Sequence, residues 1–383
     1  MTLKAPFPYF GGKSTVADLV WRRLGNVRNY IEPFCGSAAV LLRRPGEPGI
    51  ETVNDIDCYV ANFWRATQWA PDEVAEHADW PVNEADLHAR HVWLVRGVES
   101  DAFRASMHAD PMYFDPRIAG WWAWGQSCWI GGGWCSDGVG WEQTPGTGEA
   151  GQGVYKKRIK LSGNGIGNGV HRKRPSLGDG NGSGSAKAVN GSVPELAGDG
   201  GAAGRGVCAS AGGRPQLADQ YSRGRGVHGN DGASRCQARR AWLTEWFGRL
   251  RDRLRSVRVC CGRWDRVCGS RSITTRIGMT GVFLDPPYSA ETGRDMGLYG
   301  SESGDVAHAV RDWCLEHGAD PRMRIVLCGY AGEHDDLERH GWSVEAWKAH
   351  GGYGNRNADN DRKHKERLWL SPHCLHARQP TLF

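Results

Sequence analysis

Gly281-Val282-Phe283-Leu284-Asp285-Pro286-Pro287-Tyr288 sets a short apolar run directly against an acid, two prolines and a tyrosine. The first four residues read as a buried strand, and the prolines end it, because each removes a backbone donor and fixes φ. An acid at that point stands at the carboxyl end of a strand, the edge where open α/β sheets place their ligands. From average residue frequencies the tetrapeptide Asp-Pro-Pro-Tyr arises by chance on the order of once in several hundred chains of this length. It can also be read as a plain structural turn, so its neighbours have to decide.

The neighbours read as an alternation of strands and helices. Ser14 to Leu24 carries Val16, Leu19, Val20 and Leu24 at helical spacing, with Ser14 or Thr15 placed to cap the start. Asn29-Tyr30-Ile31-Glu32 reads as a strand broken at Pro33 and Gly36, and Ala38 to Leu42 as a helix. Glu51-Thr52-Val53 gives a second strand ending in Asn54-Asp55-Ile56-Asp57, and the pattern turns helical from about Ala61 to Met112. After Ala238, residues Trp242, Leu243, Trp246, Phe247, Leu250 and Leu254 trace one apolar helical stripe, while Arg249, Arg251, Arg253 and Arg255 fall on other faces. Further strands are expected at Val257–Cys261, Arg324–Cys328, Ser343–Lys348 and Glu366–Ser371, the last two as an antiparallel hairpin, with a helix from Asp305 to Glu316. Strands alternating with helices predict a mostly parallel sheet with helices on both faces.

At 383 residues the chain has room for this domain and a second module. Its 54 glycines gather between Gly131 and Arg235, where glycine, serine, asparagine and basic residues dominate and no period persists; that composition predicts a flexible insertion. No run of about eighteen apolar residues and no apolar leader are present, so a cytoplasmic location is expected. The 12 cysteines show no Cys-x-x-Cys pair and no Cys/His spacing of a zinc site, and free thiols are expected. A net charge of +5 does not by itself identify a nucleic-acid binder. Basic residues do crowd at Lys156–Lys160, Arg172–Arg174, Arg235–Arg266 and Arg362–Lys365.

The chemistry suggested by Asp285 to Tyr288 concerns an amine. An amine conjugated to a ring is a poor nucleophile until acceptors hold its hydrogens and turn its lone pair outward. Asp285 and the carbonyl of Pro286 are the candidate acceptors, Pro287 stiffens the segment, and Tyr288 offers a ring for stacking, as a flipped base requires. Gly36 lies in a strand-to-helix turn where a cofactor can approach the backbone closely and meet helix N–H groups. Asp55 stands where nucleotide-binding α/β folds place an acid against ribose hydroxyls. The tryptophans from Trp121 to Trp129 read either as buried packing or as rings for stacking on bases.

Pro8-Tyr9-Phe10-Gly11-Gly12-Lys13, Tyr30 to Ser37, Asn54 to Asp57 and Asp285 to Tyr288 occur in the order found in Dam-type (class alpha) adenine-N6 DNA methyltransferases, and over residues 4–60 and 240–372 the chain resembles that family. The resemblance implies a Rossmann-like S-adenosylmethionine-dependent methyltransferase fold, S-adenosyl-L-methionine as cofactor and double-stranded DNA as partner. It implies cofactor contacts from Tyr9, Lys13, Glu32, Pro33, Phe34, Gly36, Asp55 and Asp285. It also implies a division into cofactor-binding residues 1–60, a helical recognition module at 61–130, the Gly-rich insertion at 131–235, a connecting helix at 236–256 and the second catalytic part at 257–383. The chain departs from the family at Tyr9, where tryptophan is frequent, and at Ala38, where glycine is usual. A sulfonium methyl group is already activated, so no metal is expected. A monomer, with a restriction endonuclease as a candidate partner, completes the expectation. Three readings compete: a binding protein that kept the fold, the same chemistry on cytosine N4 or an RNA adenine, and an unrelated nucleotide-binding enzyme.

Overall fold

The computed structural model describes residues 3–9, 12–96, 98–129, 134–135, 236–287, 306–347 and 366–376. Apart from Trp134 and Cys135, the expected insertion at 131–235 lies outside the described residues, as do Tyr288 and the loop before Glu366.

The chain enters helix α1 (Ala17–Leu24), strand β1 (Asn29–Glu32), the short helix α2 (Ala39–Leu42) and strand β2 (Ile50–Asp55). Five helices follow: α3 (Cys58–Trp69), α4 (Pro71–Ala78), α5 (Glu84–Arg96), α6 (Val98–Ala109) and α7 (Pro116–Cys128). Beyond the insertion come α8 (Cys236–Leu254), β3 (Val257–Cys261), α9 (Asp265–Cys268) and β4 (Thr280–Leu284). The chain closes with α10 (Val306–His317), β5 (Met323–Tyr330), a 3-10 turn at Asp335–His340, β6 (Ser343–Ala346) and β7 (Glu366–Leu370).

The seven strands form one sheet in the order β3-β2-β1-β4-β5-β7-β6. The first five are mutually parallel, and β7 runs antiparallel to both β5 and β6. Every residue of β1 and β4 is buried, which is why β4 ends in the unbroken apolar run Val282-Phe283-Leu284, while β1 buries Asn29 and Glu32 at its two ends. Chain order reverses between β1 and β4, so the carboxyl ends of β1, β2 and β4 open onto the crevice where such sheets bind ligands. This is the Rossmann-like methyltransferase fold expected from the sequence.

Two expectations are corrected. Helix α1 starts at Ala17 with Val16 at its N-cap and no side-chain cap, so neither Ser14 nor Thr15 takes that position. The turn is closed instead by the Lys13 carbonyl, which accepts the N–H groups of Val16 and Ala17. Helix α8 buries Leu243, Trp246, Phe247, Leu250 and Leu254 as its spacing predicts, but Arg253 is not on its solvent side. It reaches inward to the fully buried carboxylate of Glu51, with bonds of 2.7 and 2.8 Å. A buried acid needs a counter-ion, and that need overrides the preference of arginine for water.

The tryptophans of α7 are structural where they can be seen. Trp122 and Trp124 are fully buried, and Phe7 packs edge-on against Trp122 and Phe63 at 4.7 and 4.9 Å. The Arg90 guanidinium lies 4.6–4.9 Å from the rings of Trp80, Trp121 and Trp124, a cation held by three aromatic faces. No helix among the described residues is long and apolar enough to cross a membrane.

Candidate active site

At the switch point a cleft of about 530 Å³, partly open to solvent, is walled by Tyr9, Lys13, Glu32, Phe34, Gly36, Asp55, Asp285 and Pro287 among others. Of the residues expected at a site, these eight converge. Pro33 and Pro286 are buried but do not line the cleft. Side chains alternate along an extended chain, so Asp285 and Pro287 share one side while Pro286 turns to the other. Tyr288 lies outside the described residues.

The acids arrive on three adjacent strands. Glu32 ends β1, Asp55 ends β2, and Asp285 follows β4. Lys13 comes from the segment before α1 and sets its ammonium 2.8 Å from Asp285 Oδ1. Burial lowers the pKa of Lys13, but Asp285 and the more distant Glu366 outweigh it, and the net shift is upward. Lys13 therefore remains a cation inside the protein.

Glu32 is fully buried. Its Oε2 accepts the Tyr30 hydroxyl at 2.9 Å and the Leu41 N–H at 3.1 Å. Leu41 is the third residue of α2, so a strand carboxylate caps a helix whose own N-cap, Ala38, has no side chain able to do so. Loss of solvation pushes the Glu32 pKa up to about 8, against the lowering effect of the two hydrogen bonds. Near neutral pH Glu32 holds a proton, and with Oε2 occupied by two donors that proton belongs on Oε1. The helix N–H groups expected to await a ligand are thus partly committed within the protein.

Asp55 is organised in the same way. Its Oδ2 accepts the Gly36 N–H at 2.8 Å, and its Oδ1 accepts the Asp57 N–H at 3.0 Å. The Cys35 thiol also points at Oδ2, at 3.9 Å, so most of the roughly four lone-pair sites of this carboxylate are already engaged within the protein. Burial, with Asp57 adding to it, raises its pKa to about 7 in spite of these bonds. Gly36 itself has φ 44°, and a Cβ there would stand 2.5 Å from Tyr9 Cε1, so only glycine lets the Tyr9 ring lie against this turn. Ala38 also occupies the left-handed region, with φ 48° and ψ 32°.

Sequence reasoning missed three contributors. Asn54 is buried and donates through Nδ2 to the carbonyls of Pro33 and Gly262, at 3.0 and 2.8 Å, tying the turns after β1 and β3 together. Its adjacency to Asp55 was the available signal. Trp64 donates to the Gly36 carbonyl at 2.8 Å, so the glycine turn is held from both its N–H and its C=O. Trp264 stacks on Phe34 at 6.3 Å and supports that wall of the cleft.

Residues 9–88 match the model of a family described as D12 class N6 adenine-specific DNA methyltransferase. The match takes in Tyr9, Lys13, Glu32, Pro33, Phe34, Gly36 and Asp55, and stops short of Asp285. No curated protein matches the chain.

Proposed function

Through residues 9–88 the chain resembles the D12 class of N6 adenine-specific DNA methyltransferases, and from that premise we propose that it transfers a methyl group from S-adenosyl-L-methionine to the N6 amine of an adenine taken out of duplex DNA. The observation that carries the reading is the Lys13–Asp285 ion pair. It joins the family-matched segment to the Asp-Pro-Pro-Tyr segment outside the match, across one cleft.

The residues present fit the cofactor. Asp55 can accept a ribose hydroxyl, Phe34 gives an apolar wall, and a ligand bearing positive charge would favour the ionised forms of the raised acids Glu32 and Asp55 that line the cleft. Tyr9 and Gly36 shape the side nearest the backbone, and Pro33 fixes the turn from behind. When bound, the sulfonium supplies an activated methyl group.

The chain's own part is positioning and charge complementarity. Lys13 holds Asp285 by Oδ1, which fixes the orientation of the carboxylate and leaves its second oxygen to accept a hydrogen of the target amine. The carbonyl of Pro286 is the proposed second acceptor, Pro287 keeps the segment rigid, and Tyr288 stacks on the base. Residues 61–130 and 236–256 serve as the recognition elements, and 131–235 as a basic insertion that adds phosphate contacts. Of the remaining expectations, a monomer with or without a restriction endonuclease rests on the resemblance, and the cytoplasmic location on the composition of the sequence.

Incubation of purified protein with duplex DNA and labelled S-adenosylmethionine, followed by digestion to nucleosides and mass spectrometry, tests this. N6-methyladenine should form and should disappear with Asp285→Ala. Methyl-labelled cytosine in its place, or transfer unchanged in the variant, overturns the reading.

A further inference from the structure

Away from the cleft, three metal-ligating side chains from distant parts of the chain meet behind the β2–β3 edge. Cys58 opens α3, His108 lies near the end of α6, and Cys261 ends β3. Cys58 Sγ is 3.5 Å from His108 Nε2 and 3.7 Å from Cys261 Sγ, and the three donor atoms all lie within 4.8 Å of one another. A disulfide needs sulfurs at about 2.05 Å, so Cys58 and Cys261 are separate thiols. Tetrahedral zinc binds sulfur at about 2.3 Å and imidazole nitrogen at about 2.0 Å, which sets sulfur pairs ~3.8 Å and sulfur–nitrogen pairs ~3.5 Å apart. The two short spacings found here are those of ligands already set around one such ion.

We propose that Cys58, His108 and Cys261 bind one tetrahedral divalent metal ion, zinc by preference, with water as the fourth ligand. Two thiolates and an imidazole are a soft donor set that selects zinc over magnesium or calcium. On binding, the two thiols release their protons to solvent, and the ion with two thiolates is a neutral unit. That neutrality suits the surroundings: Arg65 is buried, donates to the carbonyls of Val259, Asp110 and Tyr113 and toward Met107 Sδ, and makes no ion pair among the described residues. Both cysteines are buried, whereas His108 is exposed, so the ion has a path in and the fourth position faces water.

The ion would act as a clamp. Asp55 pairs with Cys261 in the β2–β3 register, and the Gly262 N–H donates to the Asp55 carbonyl at 2.9 Å. Cys58 lies three residues beyond Asp55. A metal there pins helix α6 to the sheet edge that carries Asp55, without touching the cleft itself.

The experiment uses the whole chain, reduced with a phosphine, stripped with chelator and titrated with Co²⁺ and then Zn²⁺. Expected are about one equivalent of Co²⁺ with thiolate charge-transfer bands and the intense visible bands of tetrahedral cobalt, displacement by Zn²⁺, and a higher melting temperature with Zn²⁺ than without. Cys58→Ser and Cys261→Ser should abolish the charge-transfer bands or weaken binding by more than about tenfold. His108→Ala, at an exposed position, keeps the test open should a cysteine variant fail to fold, and Cys314→Ser is the control. Failure to retain Co²⁺ at micromolar concentration, an octahedral spectrum, or binding unchanged in His108→Ala and Cys58→Ser overturns the proposal.

Discussion

Lys13 Nζ and Asp285 Oδ1 stand 2.8 Å apart, with the lysine side chain 7% and the aspartate side chain 20% exposed. The pair couples stability to chemistry, because the lysine has lost its water and depends on this carboxylate. Asp285→Ala takes from a buried cation its nearest carboxylate and is expected to destabilise the protein by about 3 kcal/mol, whereas Lys13→Met removes the charge itself and costs less. Both should reduce the rate of methyl transfer by roughly 10²–10³, the usual effect of deleting one positioned polar group at a reacting centre. Urea unfolding with single-turnover kinetics separates the two quantities. Equal stability losses for the two variants would contradict the burial argument.

Gly36 and Ala38 make a paired prediction of opposite sign. Gly36→Ala demands φ 44° of a residue with a Cβ and drives that carbon to 2.5 Å from the Tyr9 ring, so a loss of about 1–3 kcal/mol is expected. Tyr9→Ala should recover part of it in the double variant. Ala38→Gly relieves a left-handed alanine worth roughly 1–2 kcal/mol and gives up one buried methyl worth about 0.8 kcal/mol. Its stability should equal or slightly exceed that of the parent. Thermal melts of the four proteins are sufficient, and a loss above about 1 kcal/mol for Ala38→Gly would show that the methyl is needed for packing.

The raised acids give a pH dependence. Glu32 titrates near 8 and Asp55 near 7 in the folded protein, against ordinary values of 4.5 and 3.8. Between those limits the folded state binds more protons than the unfolded one, so stability falls as pH rises through this window. His334 works the other way, since burial lowers its pKa to about 4 and stability rises between there and its ordinary 6.5. Above pH 6.5 the His334 contribution is flat and the carboxylates dominate. From pH 6.5 to 8.5 unfolding free energy of the ligand-free protein should drop by on the order of 1 kcal/mol per pH unit through Glu32, with Asp55 adding to the slope mainly at the lower end of the window because its folded value is about 7, and Glu32→Gln should flatten the slope. An unchanged slope in that variant would rule Glu32 out as the source.

Strand ends and turns were legible in the sequence because their chemistry is local: Asp285-Pro286-Pro287 and Glu32-Pro33-Phe34-Cys35-Gly36 mark where a strand stops whatever the rest of the chain does. Relations between distant segments were not. Nothing in the spacing of Lys13 and Asp285 announces an ion pair. The Cys58, His108 and Cys261 constellation has separations of 50 and 203 residues from Cys58, far outside any short metal motif, so no spacing in the sequence points to it. Likewise Ser14 and Thr15 looked like helix caps because capping is judged from neighbours, whereas the turn is closed by a backbone carbonyl.

The arginines of α8 show the same limit and yield a last prediction. Arg251 and Arg253 look alike on a helical wheel that already has its apolar stripe, and both were expected to face outward. Arg251 is half exposed and among the described residues pairs with its neighbour Asp252. Arg253 instead meets Glu51, whose side chain is wholly buried and also binds Arg44 at 3.1 Å. Through Glu51 on β2 the helix that follows the insertion is fastened to the sheet. Arg253→Ala leaves that carboxylate with one counter-ion and should cost about 3 kcal/mol or more, with no change in the salt dependence of DNA binding. Arg251→Ala should alter stability by less than about 0.5 kcal/mol and, if Arg251 touches a phosphate, lower the slope of log affinity against log salt by about 0.9. Chemical denaturation and fluorescence-anisotropy titrations of duplex DNA at several salt concentrations read both quantities. A stability loss in Arg251→Ala as large as that in Arg253→Ala would refute this division of roles.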